Sequence, residues 1–162
     1  MNDENTEALF RMCARLYRSR TEQESLMRYG FACGDGWFVL IRDLSQAIER
    51  ACDEDGVPVA EAMQVKEKLG GLRFYVSACT DRVRKLIERA EEDSFKVCEE
   101  CGKEGALCVT ETGWYRTVCS DHARELRMEP ARERGSIRIV GRRGRITIVD
   151  EHGRKSELKE EE

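Results

Sequence analysis

The sequence predicts an α+β fold: a small body of helices and one β-hairpin, then a short cysteine-closed module, then a C-terminal β-hairpin. Three observations carry this. Apolar residues recur at three-four spacing in three separate segments. Short alternating runs flank paired glycines at Gly70-Gly71 and a glycine-bounded turn near Gly141-Gly144. Cys98-x2-Cys101 and Cys119-x2-His122 stand seventeen residues apart, the spacing of two half-sites for one metal ion. With 162 residues there is room for one compact body and a metal-stapled appendage, not for two full cores. The boundaries read as a helical body over 1–96 with its hairpin at 65–76, a metal module over 97–134, a hairpin over 135–150 and a charged mobile tail over 151–162.

The first helix is expected to start at an Asn5 or Thr6 cap and to bury Leu9, Met12, Cys13, Leu16 and Tyr17. Glycines at 30, 34 and 36 suit a turn, with Asp35 placed to cap a second helix from about Trp37 to Ala51. Its stripe is Trp37, Leu40, Ile41, Leu44 and Ile48, and Asp53-Glu54-Asp55-Gly56 ends it. Residues 57–64 show no clear period. Val65–Leu69 and Leu72–Val76 then read as strands turning at Gly70-Gly71, and a third helix follows from Thr80 to about Phe95 with Val83, Leu86, Ile87 and Ala90 on its apolar side.

The cysteine pairs define the module. Zinc takes four soft or borderline ligands in a tetrahedron, and each two-residue gap supplies half of one without strain, so Cys98, Cys101, Cys119 and His122 are the predicted ligands. Gly102 fits the turn that brings backbone N–H groups toward thiolate sulfur. Between the pairs, Ala106–Thr110 and Trp114–Val118 flank Glu111-Thr112-Gly113 as a hairpin. After them, Ala123–Met128 has helix formers, with Ser120 or Asp121 as cap. Ligand turn, hairpin, and ligands at a helix start is a treble-clef-like order. Cys108 is the substitute ligand should His122 not serve, but it sits mid-strand without a partner at two-residue spacing. Cys13, Cys33, Cys52 and Cys79 read as small buried hydrophobes.

Four protein ligands close the coordination shell, which predicts a structural Zn2+ rather than a catalytic one. The only other histidine is His152, too few for a treble-clef nuclease, and no P-loop, dinucleotide fingerprint, deaminase signature or nucleophile elbow is present. The expectation is a non-enzyme. A weaker enzyme reading places chemistry around Lys66, Glu67, Lys68 and Arg73, and requires a concave pocket there; otherwise these charges are a solvated rim and Trp37, Phe74 and Tyr75 are packing.

Hydrophobic residues make up 40% of the chain and charged residues 37%, so the core is modest and the metal matters for folding. A net charge of -4 argues against a bulk polyanion binder, leaving only a local nucleic-acid contact. The acidic start has no apolar export region, and no run is long enough to span a membrane, so a soluble cytoplasmic protein without membrane contact is expected. Eight cysteines in a reducing compartment point to metal more than to disulfides. Residues 135–149 lack acidic side chains, and Arg138, Arg142, Arg143 and Arg145 cluster at the turn, where they either grip phosphates or an acidic protein face or keep a sheet edge soluble.

Gly34-Asp35-Gly36-Trp37, Val65-Lys66-Glu67-Lys68-Leu69-Gly70-Gly71-Leu72-Arg73-Phe74-Tyr75, Cys98-Glu99-Glu100-Cys101-Gly102 and Gly113-Trp114-Tyr115-Arg116-Thr117-Val118-Cys119 together resemble a family of small zinc-binding proteins of phages and bacteria. The likeness spans roughly residues 30–123. It implies a zinc-bearing phage or mobile-element accessory protein rather than a particular reaction. By analogy with phage accessory proteins of this size, it implies action on a host protein, host-defence components included, as inhibitor or modulator in the host cytoplasm. The resulting expectation is a non-enzymatic, zinc-stabilised protein-binding module with a host or phage protein as partner. The alternative is a nucleic-acid-binding module using the arginine hairpin.

Overall fold

The computed structural model describes residues 1–131 and the strands Ile146–Val149 and Lys155–Leu158. The fold is α+β, with four α-helices and small antiparallel sheets among the described residues. Met1–Pro130 form one compact unit, so the helical body and the cysteine module share it; Ala131–Glu162 form a second.

Helix α1 (Asp3–Met12) is capped by Asn2, whose side chain accepts the Asn5 amide at 2.8 Å, three residues before the earliest predicted cap. Asp3 and Glu4 then fall in the first turn, where the helix dipole favours them. The predicted stripe is buried at Leu9, Cys13, Leu16 and Tyr17 even though the helix stops at Met12, which is itself exposed. Short 3-10 turns at Arg18–Thr21 and Leu26–Tyr29 lead to Ala32. Asp35 does not cap the second helix. A 3-10 turn over Asp35–Trp37 precedes α2 (Phe38–Glu54), and the Asp35 carboxylate instead accepts from the Asn2 amide and the Asn5 side chain, both at 2.9 Å, tying α1 to the start of α2.

Strands β1 (Ala62–Lys68) and β2 (Gly71–Val76) pair antiparallel. The turn is Leu69-Gly70, one residue earlier than the paired glycines suggested, with both residues at positive φ (54° and 80°) as a two-residue hairpin loop demands. Gly71 is instead the first residue of β2, where a Cβ would lie 2.4 Å from the Phe95 ring. Ala32 bridges β1 in parallel through Ala32 N to Val65 O and Glu67 N to Ala32 O. The far edge of β2 is sealed by α3 (Asp81–Ser94): the Leu72 amide donates to Ser94 Oγ at 2.9 Å and the Phe74 amide to Glu91 Oε1 at 3.0 Å. Thr80 caps α3 through the Val83 amide. Both sheet edges are therefore occupied, which blunts aggregation through them.

The core of the body lies between α1, α2, α3 and the inner face of the hairpin, with Trp37, Tyr17, Ile41, Ile48, Val65 and Leu72 almost wholly enclosed. Phe10, Tyr17 and Phe31 form a ring cluster at 5.4–5.5 Å centroid spacing. Ser45 donates to the Ile41 carbonyl at 2.7 Å, so its oxygen is left to accept the buried Tyr17 hydroxyl at 2.6 Å.

In the module, β3 (Ala106–Val109) and β4 (Tyr115–Val118) pair as predicted. The following helix, α4 (Ser120–Glu125), begins earlier than predicted because Cys119 itself occupies the N-cap position. A two-residue strand, β5 (Glu129–Pro130), adds to the free edge of β3 and was not foreseen. Cys98, Cys108, Val118, Cys119, Ala123 and Met128 form a second small core.

In the C-terminal unit β6 (Ile146–Val149) pairs antiparallel with β7 (Lys155–Leu158). The stretch read as a charged tail thus contains a strand, which pairs with residues 146–149. Residues 136–140 lie outside the described ones.

Candidate metal centre

Each pair of candidate ligands is presented by a local turn. At the first, Gly102 at φ 74° allows its amide to reach the Cys98 carbonyl at 2.8 Å while the Cys98 amide donates to Lys103 O at 2.7 Å, closing a tight loop that turns Cys98 and Cys101 inward. At the second, Cys119 caps α4 and His122 sits one turn along. The β3–β4 hairpin brings these two ends together, because its register places Ala106 opposite Val118. Ligand turn, hairpin and helix make the treble-clef-like arrangement.

The four ligand atoms all lie within 4.8 Å of one another. Cys101 Sγ and Cys119 Sγ are 3.9 Å apart, and His122 Nδ1 is 3.5 Å from Cys98 Sγ and 3.2 Å from Cys119 Sγ. A tetrahedral ion with metal–sulfur bonds of about 2.3 Å and a metal–nitrogen bond of about 2.0 Å has S···S edges of about 3.8 Å and S···N edges of about 3.5 Å. The residues fit a metal ion.

The electrostatics prepare the same atoms. The His122 backbone amide in the first turn of α4, helped by the His122 ring and the Asp121 amide, holds the Cys119 thiol down to about 6. The Cys119 and Cys98 sulfurs in turn raise His122 above its ordinary value. Metal capture here releases protons, since ligation needs thiolates and a neutral ring nitrogen. Cys108 is buried in the small core and is not part of the cluster.

The first ligand turn is bolted to the body through its backbone. Gly36 N donates to Glu99 O at 2.8 Å and Trp37 Nε1 to Val97 O at 2.9 Å. A Cβ on Gly36 would lie 2.1 Å from Cys98 O, and one on Gly34 would lie 2.3 Å from Glu99 O. Glu99, buried between the two ligands of its own turn, accepts Gly34 N through Oε1 and Arg116 Nε and Nη2 through Oε2, at 2.9–3.0 Å. Arg116 also pairs with Glu100 at 2.5 Å. Thr117 Oγ1, fully buried, donates to Gly70 O at 2.6 Å, while Glu99 N donates to Thr117 O.

Each of the four motifs quoted above thus supplies a residue to one seam between module and body. Sequence reading missed Glu99, Arg116 and Thr117 as members, and took Gly34 and Gly36 as turn formers when their function is close approach. The signal available was a Gly-x-Gly beside a tryptophan with no hairpin to turn.

A groove of about 490 Å3 runs past this seam, lined by Asp35, Phe38, Val39, Asp43, Val97 and Cys101 among others; Lys66, Glu67 and Arg73 do not line it. Arg138, Arg142, Arg143 and Arg145 lie outside the described residues. No described helix is long and apolar enough to cross a membrane. No family model, curated protein or solved structure matches the chain.

Proposed function

We propose that this chain is a non-enzymatic protein-binding module stabilised by one structural zinc ion. Three thiolates and one imidazole nitrogen at tetrahedral spacing suit zinc, and four protein ligands leave it no open position for water. Its role is to clamp the β3–β4 hairpin and α4 onto the ligand turn.

The observation that carries the binding reading is Trp114, 66% exposed in the turn of that hairpin, with Tyr115 beside it. Tryptophan and tyrosine dominate binding hot spots, and a rigid support reduces the ordering cost on association. The partner is a protein with an apolar pocket for the indole. The motif resemblance supports a host protein as that partner, inhibited or modulated by a phage or mobile-element accessory factor and belonging to host defence.

Native mass spectrometry with metal analysis and a host-lysate pulldown from one preparation test this. The expected result is one zinc per chain, lost in Cys98→Ser and Cys119→Ser, and one host protein recovered by wild type but not by Trp114→Ala. Absence of zinc overturns the metal reading. Recovery unchanged by Trp114→Ala, or abolished by nuclease, overturns the binding reading.

A further inference from the structure

The outer face of the body hairpin breaks a local rule. Register places Lys66 directly opposite Arg73 and Gln64 opposite Tyr75, while Val65, Phe74 and Leu72 point into the core. Like charges facing each other across a strand pair destabilise it. Lys68, two residues beyond Lys66 and about 6.8 Å along the strand, extends the same face.

Elsewhere the chain pairs many of its cations: Arg15 with Glu49 and Asp53, Arg82 with Glu54 and Asp55, Arg116 with Glu99 and Glu100. Neither Lys66 nor Lys68 joins these pairs, whereas Arg73 donates through Nη1 to Leu72 O at 2.6 Å and is drawn electrostatically to the Glu91 carboxylate. The nearby acids are committed: Glu67 Oε1 accepts the Gly70 amide at 2.6 Å and Glu91 Oε1 the Phe74 amide at 3.0 Å. Tyr75 is 43% exposed and lies under the Lys66 ammonium at 5.6 Å. Across the parallel bridge the row of Lys66 holds only the small, exposed Ala32, while at the Gly71 end the Phe95 ring closes over the face. Because Ala32 and α3 occupy both edges, the surface on offer is the face and not a strand to be extended.

We infer that this face binds a single-stranded nucleic acid, with Lys66, Lys68 and Arg73 on successive backbone phosphates and a base stacked on Tyr75. Adjacent cations on one sheet face complement a chain with one charge per nucleotide, and an exposed aromatic beside them supplies a sequence-tolerant stacking surface. An α-helix or duplex presents no unstacked ring for the tyrosine. The inference is independent of the metal reading and adds a second surface to the hairpin bearing Trp114.

The test is fluorescence anisotropy of the full chain with end-labelled mixed-sequence RNA and DNA strands of about 20 nucleotides, enough for one or more platform sites. Titrations run between about 50 and 200 mM salt, where phosphate contacts are read from the slope of log K against log salt. Three phosphate contacts give a slope near about -2, and Lys66→Gln with Arg73→Gln should flatten it by about 1.4 and weaken binding about tenfold. Tyr75→Ala should weaken binding at least about fivefold with the slope unchanged. Thermal unfolding provides a second readout: removing the opposed charges should leave the variants at least as stable as wild type, whereas a structural role would lower stability. Failure of wild type to bind either strand overturns the inference. So does loss of binding in Arg142→Gln/Arg143→Gln while Lys66→Gln/Arg73→Gln binds normally. Equal binding of polyglutamate with no effect of Tyr75→Ala also overturns it, and assigns the face to an acidic protein.

Discussion

Replacing Gly36 by alanine drives a methyl group into the ligand turn itself. The added carbon would lie 2.1 Å from Cys98 O, 2.5 Å from Gly102 N and 2.6 Å from Cys101 N, all backbone atoms, where nothing under 3.0 Å is tolerated. The start of α2 and the turn must separate by nearly an ångström. Three hydrogen bonds cross that gap: Gly36 N to Glu99 O, Gly34 N to Glu99 Oε1 and Trp37 Nε1 to Val97 O, at 2.8–2.9 Å. At about 1 kcal/mol net each, and more for any donor left buried and unmet, the loss is about 3–5 kcal/mol. That is a large share of the roughly 5–15 kcal/mol of a whole domain. A drop in Tm of about 10 °C or more follows for a chain of this size. The assay is thermal and urea unfolding of the protein in the presence of added zinc, with Gly56→Ala as reference. Gly56 has nothing within 4 Å of its Cβ position but shares a positive φ, 64°, so its alanine variant should lose only about 1 kcal/mol of backbone strain. Should Gly36→Ala melt no lower than Gly56→Ala, the seam is not rigid and the reasoning fails.

Other perturbations separate the contributions. Leu69→Asn should stabilise by about 0.5–1 kcal/mol, because leucine at φ 54° is strained and asparagine is at home there; urea midpoints at constant m-value check it. Thr117→Val removes the donor to Gly70 O and should cost about 1–2 kcal/mol, measured the same way; a neutral result would mean that carbonyl has another partner. The Glu91 carboxyl is raised by burial, so its ionised form opposes folding. The penalty is full above its folded value and is relieved as pH falls through that value toward the ordinary 4.5. Glu91→Gln should therefore gain on wild type at pH 7 and lose that gain in urea titrations near pH 4.5. A pH-independent difference would show that the shift contributes nothing.

Legibility in the sequence followed the range of the interaction. The clustering of Cys98, Cys101, Cys119 and His122 was readable because both pairs are local: two-residue gaps and a following glycine impose the turn wherever the rest of the chain goes. Helical stripes were readable for the same reason, and the buried positions Trp37, Ile41, Leu44, Ile48, Val83 and Ile87 are those the period marks. Cap and turn positions slipped by one to three residues. Asn2 displaced Asn5 and Thr6, and Leu69 took a φ that its side chain disfavours so that Gly71 could face Phe95.

What composition and spacing determined by themselves were the α+β class, the hairpins on either side of α3, and the three cysteines and histidine brought to one point. Tertiary structure decided what the remaining motif residues are for. Glu99 reads as a surface acid between two ligands, yet it is buried because Gly34 N and Arg116, distant in sequence, converge on its two oxygens. Gly36 reads as a turn, yet it is a contact surface for Cys98 and Cys101. Lys66 and Arg73 read as separate charges, and only strand register sets them face to face. Each depends on what lies across a gap in space, and local spacing holds no record of that.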